Sequence, residues 1–142
     1  MNMPFRQHGH FHSYIEGRFL ITEVTGPWNK ELVESWAAHI YPLAKELATD
    51  GPHVGIAIIH KSILCPPDAF DALQRAVIYG VKHLSSIGQI IVADDSVDGR
   101  NILQSTFARL YAGHTPHWYC RTLDEAKGHA QELLRTYQQP SA

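Results

Sequence analysis

From residue 54 onward, strand-like and helix-like segments alternate along the chain, and this order constrains the fold more than any other feature. The runs 54–60 (VGIAIIH) and 89–93 (QIIVA) are apolar without alternation, which is typical of strands covered on both faces. Segments with helical spacing of apolar residues follow both runs, and a last strand at 117–120 precedes a final helix. Strands joined by helices pair in parallel through right-handed crossovers. The sequence therefore predicts an α/β fold with 54–60 as the central strand.

Two extended patterns precede this alternation and flank a Glu-Gly turn at 16–17, where glycine suits the positive φ of a tight hairpin. A helical pattern follows over 29–48 with Asn29 as its N-cap, and Pro42 inside it predicts a kink or a short break near 38–41. Together these segments predict a single-domain α/β fold. Its mixed β-sheet consists of an N-terminal hairpin followed by βαβαβα units.

Length, charge and cysteine content narrow the class of protein. The chain has 142 residues, enough for one domain, and we expect 1–137 to form it and 138–142 to be a frayed tail. A formal net charge of −2 provides no positive field for nucleic acid. Cys65 and Cys120 are the only cysteines, which favours a reducing compartment, and no apolar run is long enough to span a membrane. The sequence therefore predicts a cytoplasmic protein with no transmembrane segment, no nucleic-acid partner and no cofactor.

Three segments also resemble a known family. They are the hairpin with His8-Gly9 and Gly17, the Gly26-Pro27-Trp28-Asn29 turn into the first helix, and the closing segment 118–126, which ends in Thr-Leu-Asp-Glu-Ala. In these the chain is similar to the SpoIIAA-like group of STAS domain proteins. The resemblance implies a single-domain mixed sheet in the bacterial cytoplasm, without a settled biochemical role.

The wider fold implies two further properties, of which one is not carried over. Its better-known members are anti-sigma-factor antagonists, which are switched by phosphorylation of a serine at the start of the second helix, within an Asp-Ser-Ser/Thr-Gly-Leu motif. The corresponding stretch here, 65–70 (CPPDAF), has no hydroxyl, so we do not carry the switch over. A second relative, the CRAL-TRIO lipid-transfer domains, implies by analogy of fold alone that such a scaffold can bind apolar ligands.

Polar residues follow two neighbouring strands of the predicted sheet. His60 and Ser62 come at the end of one strand, and Asp94 and Asp95 come at the end of the next. Because α/β folds usually bind ligands at the carboxyl edge of parallel strands, we expect these residues, with Trp28, to form a ligand- or partner-binding edge. An acid beside a histidine would suit acid-base chemistry, whereas acids after a strand also commonly cap the next helix. No nucleophile elbow or phosphate loop accompanies them, so we assign no catalytic residue.

Other candidate residues have two interpretations each. His8, His10 and His12 alternate, so on an extended strand they could share a divalent metal or form an exposed polar edge. No carboxylate or cysteine stands nearby in sequence to complete a metal shell, and we assign no metal ligand. Cys65 precedes a helix, whose dipole favours thiolate, but a lone cysteine is more often a small buried apolar residue. Trp36 lies in the middle of the first helix's apolar stripe and is expected in the core.

These observations favour a binding or regulatory module without intrinsic catalysis that acts on a protein partner, with a homodimer left open. One alternative is a small-molecule or lipid binder with a pocket at the carboxyl edge of the parallel strands. That pocket would be lined by apolar side chains under the loop 62–67, such as Trp28, Ile63, Leu64 and Phe70. The other alternative is a small metal-dependent enzyme, or a hydrolase built on the histidine and aspartates of the same edge.

Overall fold

The computed structural model describes residues 9–138, which form a single α/β domain around a five-stranded mixed sheet. The strands and helices are β1 (His10–Glu16), β2 (Phe19–Thr25), α1 (Lys30–Asp50), β3 (His53–His60), α2 (Pro67–His83), β4 (Ser86–Val92), α3 (Leu103–Tyr111), β5 (His117–Cys120) and α4 (Leu123–Gln138). The strands lie side by side in chain order, with β1 and β2 antiparallel and every later pair parallel. The predicted fold class is confirmed.

The central position of β3 is also confirmed, and its two faces differ in character. Ile56 lies between Ile21 of β2 and Ile90 of β4 in the register of the sheet. Since successive side chains point to opposite faces of a strand, Ile56 shares its face with other large apolar residues of β3. The alternate face carries Gly55 and Ala57. One face of the central strand is therefore bulky and the other is nearly flat.

The helices divide unequally between the two faces of the sheet. One apolar cluster joins residues from α1, α2 and α3, including Leu32, Val77 and Phe107, to the sheet. A second cluster packs Ala126 and Ala130 of α4 against the other face. Three helices therefore cover the face that bears the small residues of β3, and α4 covers the opposite face.

Local signals in the sequence account for the ends of several elements. Gly17 has a φ of 60° in the hairpin turn, as the left-handed region requires. The side-chain oxygen of Asn29 accepts a hydrogen bond from the backbone N–H of Leu32 at 3.1 Å, which is the predicted N-cap. At the start of α4, the hydroxyl of Thr122 accepts from the backbone N–H of Glu125 at 3.2 Å.

The short break predicted near Pro42 is wrong, because α1 runs without a break from Lys30 to Asp50, and a kink there stays a prediction. Proline removes the N–H that would donate to the carbonyl of Ala38, four residues earlier. Ala38 and Pro42 both lie on the exposed side of the helix. Water can therefore satisfy the freed carbonyl, and the helix continues.

Some sequence predictions concern residues outside the described range. His8 and residues 139–142 of the expected tail lie there. Among helices of the described range, none combines the length and apolar character needed to cross a membrane.

We expect the backbone amides of β3 to exchange with deuterium more slowly than those of β1. Both edges of β3 are paired with other strands, whereas β1 is an edge strand, so β3 should open only in large-scale unfolding. Hydrogen exchange measured by NMR on the intact chain would check this. Faster exchange at 54–59 than at 11–15 would contradict the strand order.

Candidate functional site

A cavity of about 380 Å³ lies between α1, α2 and the face of the sheet that they cover. Small residues on both of its sides explain why it exists. Gly55 and Ala57 of β3 form the sheet side, and Ala37 of α1 with Ala76 and Gly80 of α2 contribute to the helix side. Interiors normally pack to the density of organic crystals, so small residues facing each other leave space unless something else fills it.

The wall of the cavity is mainly apolar. Within the described residues, no aspartate, glutamate, lysine or arginine lines it. Trp28 is buried at 5% exposure and belongs to the wall. Trp36 also lines the cavity, and its indole Nε1 donates to the hydroxyl of Thr22 at 3.1 Å. The expectation that Trp36 lies in the core is met in part, because its side chain packs against the core cluster but is only partly buried.

A group of polar side chains lies at the end of the cavity formed by the amino ends of β3 and β4. This polar end consists of His53, Ser86 and Gln89. The amide nitrogen Nε2 of Gln89 donates to the hydroxyl of Ser86 at 3.0 Å. A Cβ on Gly55 would lie 2.5 Å from Oε1 of Gln89, so glycine is what allows this carboxamide to lie over the central strand. His53 is 3% exposed, and within residues 9–138 its ring nitrogen Nδ1 has no hydrogen-bond partner.

His53 is held in its neutral form. Burial lowers its pKa from 6.5 to about 4, and the positive charge of Arg18 contributes to the same shift. Arg18 donates from Nε to the carbonyl of Pro52 at 2.9 Å and from Nη2 to the carbonyls of Leu47 and Gly51 at 2.6 Å. In the described part of the chain, no carboxylate forms an ion pair with it. The polar end therefore combines an unpartnered neutral imidazole with a nearby cation that has no carboxylate partner among the described residues.

Two tyrosines mark where the cavity reaches the surface. Tyr41 of α1 and Tyr79 of α2 both line it, yet they are 40% and 45% exposed. Their ring centres are 6.0 Å apart. The seam between α1 and α2 at these two rings is therefore the mouth of the cavity.

The loops that carry the sequence-predicted edge residues do meet, as expected. The backbone N–H of Asp98 donates to the carbonyl of Lys61 at 2.7 Å, and that of Ile63 donates to the carbonyl of Asp98 at 3.0 Å. Ser62, however, is buried, and its hydroxyl accepts from the backbone N–H of Leu64 at 3.0 Å. Its position is that of a structural turn residue.

The charged residues of this edge are engaged with separate neighbours. Nε2 of His60 lies 3.1 Å from a carboxylate oxygen of Glu23. Hydrogen bonds from the hydroxyl and backbone N–H of Ser96 hold the pKa of Asp94 below its usual value, with a smaller contribution from His60. Asp95 forms an exposed ion pair with Arg121 at 3.1 Å. A binding role for His60, Ser62, Asp94 and Asp95 stays a prediction, and none of the four lines the cavity that Trp28 borders.

Neither of the reactive-group hypotheses gains support. Burial raises the pKa of the Cys65 thiol, although the indole of Trp28 opposes this shift, so a resting thiolate is disfavoured. His10 and His12 lie on the edge strand β1 and are exposed. No group of three or more potential metal-ligating side chains occurs between residues 9 and 138.

The cavity differs in position from the pocket that the sequence predicts. Of the residues named for that pocket, Trp28 lines the cavity, whereas Leu64 is 45% exposed and Ile63 is packed into the core. The sequence does not predict the polar end, because the apolar run that indicates the strand begins at residue 54, after His53. An available signal was the alternation along 53–58, in which histidine, glycine and alanine alternate with valine and isoleucine.

Comparisons of the chain with protein-family models, curated proteins and solved structures found no match. Function is therefore inferred from the cavity and the groups that line it.

We expect acid to destabilise the protein through His53. Its pKa is about 4 in the folded chain against 6.5 for the free side chain, so between these values the unfolded state binds a proton that the folded state does not. Stability from the neutral ring is present above about pH 6.5 and is lost as pH falls toward about 4, an effect on the order of 3 kcal/mol.

Urea unfolding of the parent chain and the His53→Phe variant across this pH range would measure the effect. The variant should show a flatter pH dependence, and the exposed His12→Phe change should leave the dependence as in the parent. Equal slopes for the parent and His53→Phe would show that His53 titrates normally in the fold.

Proposed function

We propose that this protein binds a small apolar or amphipathic molecule in the cavity between α1, α2 and the sheet. The observation that carries the proposal is a cavity of about 380 Å³ whose described wall includes no aspartate, glutamate, lysine or arginine side chain. Small-molecule sites are typically cavities of roughly 300–1,000 Å³ with mainly apolar walls and a few placed polar groups. This cavity has both the size and the composition.

An apolar ligand suits this space better than water does. A buried water is stable where it finds two to four polar partners, and most of this wall offers none. The side chains of Leu73 and Ile40 border the cavity and are partly exposed. An apolar molecule would remove this surface from water, which is favourable at roughly 25 cal/mol per Å².

The mouth provides a route for exchange. Tyr41 and Tyr79 stand on separate helices, so a small separation of α1 and α2 would widen the opening without breaking strand pairing. Tyrosine has an apolar ring and a polar hydroxyl, which suits a position between solvent and an apolar interior. We infer reversible uptake, as in a carrier or a module that responds to its ligand.

The family, the protein partner and the absence of catalysis are also proposals, and each rests on a different observation. Membership of the SpoIIAA-like group of STAS domain proteins, and with it a bacterial cytoplasmic location, is supported by the sequence segments that carry the resemblance. A protein partner at the carboxyl edge is supported by the meeting of the loops after β3 and β4. We propose no catalytic activity, because His60, Asp94 and Asp95 each have separate partners.

Filling the cavity should abolish binding while the fold is retained. Ala57→Leu adds an apolar side chain into the space beside the central strand, so it should lower affinity for an apolar probe at least tenfold. It should not lower the unfolding midpoint, since the new side chain fills a void. The probe is Nile red, whose fluorescence rises in apolar surroundings, displaced by methyl dodecanoate.

Ile58→Leu is the matched control, because it changes the neighbouring residue of the same strand on the opposite face and conserves volume. It should leave Nile red binding as in the parent chain. Equal binding by Ala57→Leu and the parent, with both folded, would place the probe elsewhere and would overturn the proposed function.

A further inference from the structure

The polar end of the cavity is chemically incomplete, and this narrows the class of ligand. Nδ1 of His53 has no partner within the described residues, although the side chain is only 3% exposed. A buried polar group without a partner costs free energy that a ligand can recover by forming the missing hydrogen bond. Ser86 and Gln89 lie beside His53 at the same end and are bonded to each other.

The free hydrogen-bonding capacity at this end includes several donors. The neutral imidazole of His53 carries one N–H, the Ser86 hydroxyl has a hydrogen to donate because it accepts from Gln89, and the Gln89 amide has a second N–H. Arg18 is a nearby positive charge, and it binds the carbonyls of the two residues that precede His53. Donors near a cation that no described carboxylate pairs with favour a group that accepts hydrogen bonds and carries one negative charge.

The rest of the cavity determines the shape of the ligand. Its wall follows β3 from His53 to Ile59 and also includes Trp28 near the carboxyl end of the sheet. Six residues of strand span roughly 20 Å. An apolar wall of this length suits an unbranched hydrocarbon chain, with its polar group at one end.

We propose that the cavity binds a single-chain monocarboxylic acid, with its carboxylate at His53, Ser86 and Gln89 and its hydrocarbon chain directed toward Trp28. A carboxylate carries the single charge that Arg18 can balance and accepts several hydrogen bonds in a small volume. A phosphate monoester brings a larger group with more negative charge into the same space. This inference rests on the proposed function and specifies its ligand.

The first test compares ligands on the parent chain and needs no variant. Dodecanoic acid at neutral pH, below its micelle concentration, should displace Nile red with an affinity roughly tenfold or more above that of methyl dodecanoate, because the ester loses the charge. Dodecyl phosphate should bind more weakly than the acid. Equal affinity of acid and ester would overturn the carboxylate assignment and leave the proposed function standing. Binding of none of these ligands would overturn both.

The second test places the head group. Dodecanoic acid labelled with carbon-13 at its carboxyl carbon should give a distinct bound resonance in NMR, with contacts to the ring of His53. His53→Phe should reduce the affinity for the acid about tenfold and bring it close to that for the ester, whose own affinity should change little.

The matched control is His129→Phe, which alters a histidine of α4 that stacks on Trp118 on the opposite side of the sheet from the cavity. It should leave the preference for the acid over the ester unchanged. An unchanged preference in folded His53→Phe, or contacts of the labelled carbon to Tyr41 and Tyr79 in place of His53, would overturn the proposed orientation.

Discussion

The handedness of the strand connections is the constraint on which the rest of the structure depends. From β2 to β5 each new parallel strand is added on the same side of the previous one. Right-handed crossovers in a constant direction place every connecting helix on the same face of the sheet. Three helices therefore share one face and leave the other to α4, the helix after the last strand. The cavity lies on the crowded face, between two of the three connecting helices.

On that face of the sheet, the side chains of β3 are packed less closely than those on the other face. Val54 and Ile56 are fully covered on the α4 side, whereas Gly55 and Ala57 of the same strand meet an open space. A larger apolar side chain at position 57 would bury more surface and stabilise the fold. Local departures of this kind from the most stable packing tend to occur at functional sites. The same contrast within one strand separates the part that holds the domain together from the part that can receive a ligand.

The sequence predicted the fold well because its signals are local. Continuous apolar runs identified β3 and β4, and Asn29 identified the start of α1. The predictions that failed depend on contacts and exposure in the folded chain, which involve residues distant in sequence. The sequence predicts a kink or a short break at Pro42. It does not show that the carbonyl freed by the proline is exposed to water. The cavity was not predicted, since glycine and alanine at 55 and 57 look ordinary within an apolar run until Ala76 and Gly80 are placed opposite them. His53 matters because the period of the strand puts its side chain on the same face as Gly55.

The hydrogen bonds of Arg18 connect the hairpin turn to the C-terminal end of α1, so we expect these two segments to unfold together. α1 has no basic residue in its own last turn, and the guanidinium of Arg18, beside the hairpin turn, supplies the positive charge at its carbonyl end. α1 can fray from this end only if the hydrogen bonds from Arg18, just before β2, also break. Local unfolding should therefore avoid this corner of the domain. The closed end of the cavity is then its rigid end, and motion that admits a molecule is confined to the seam between the helices.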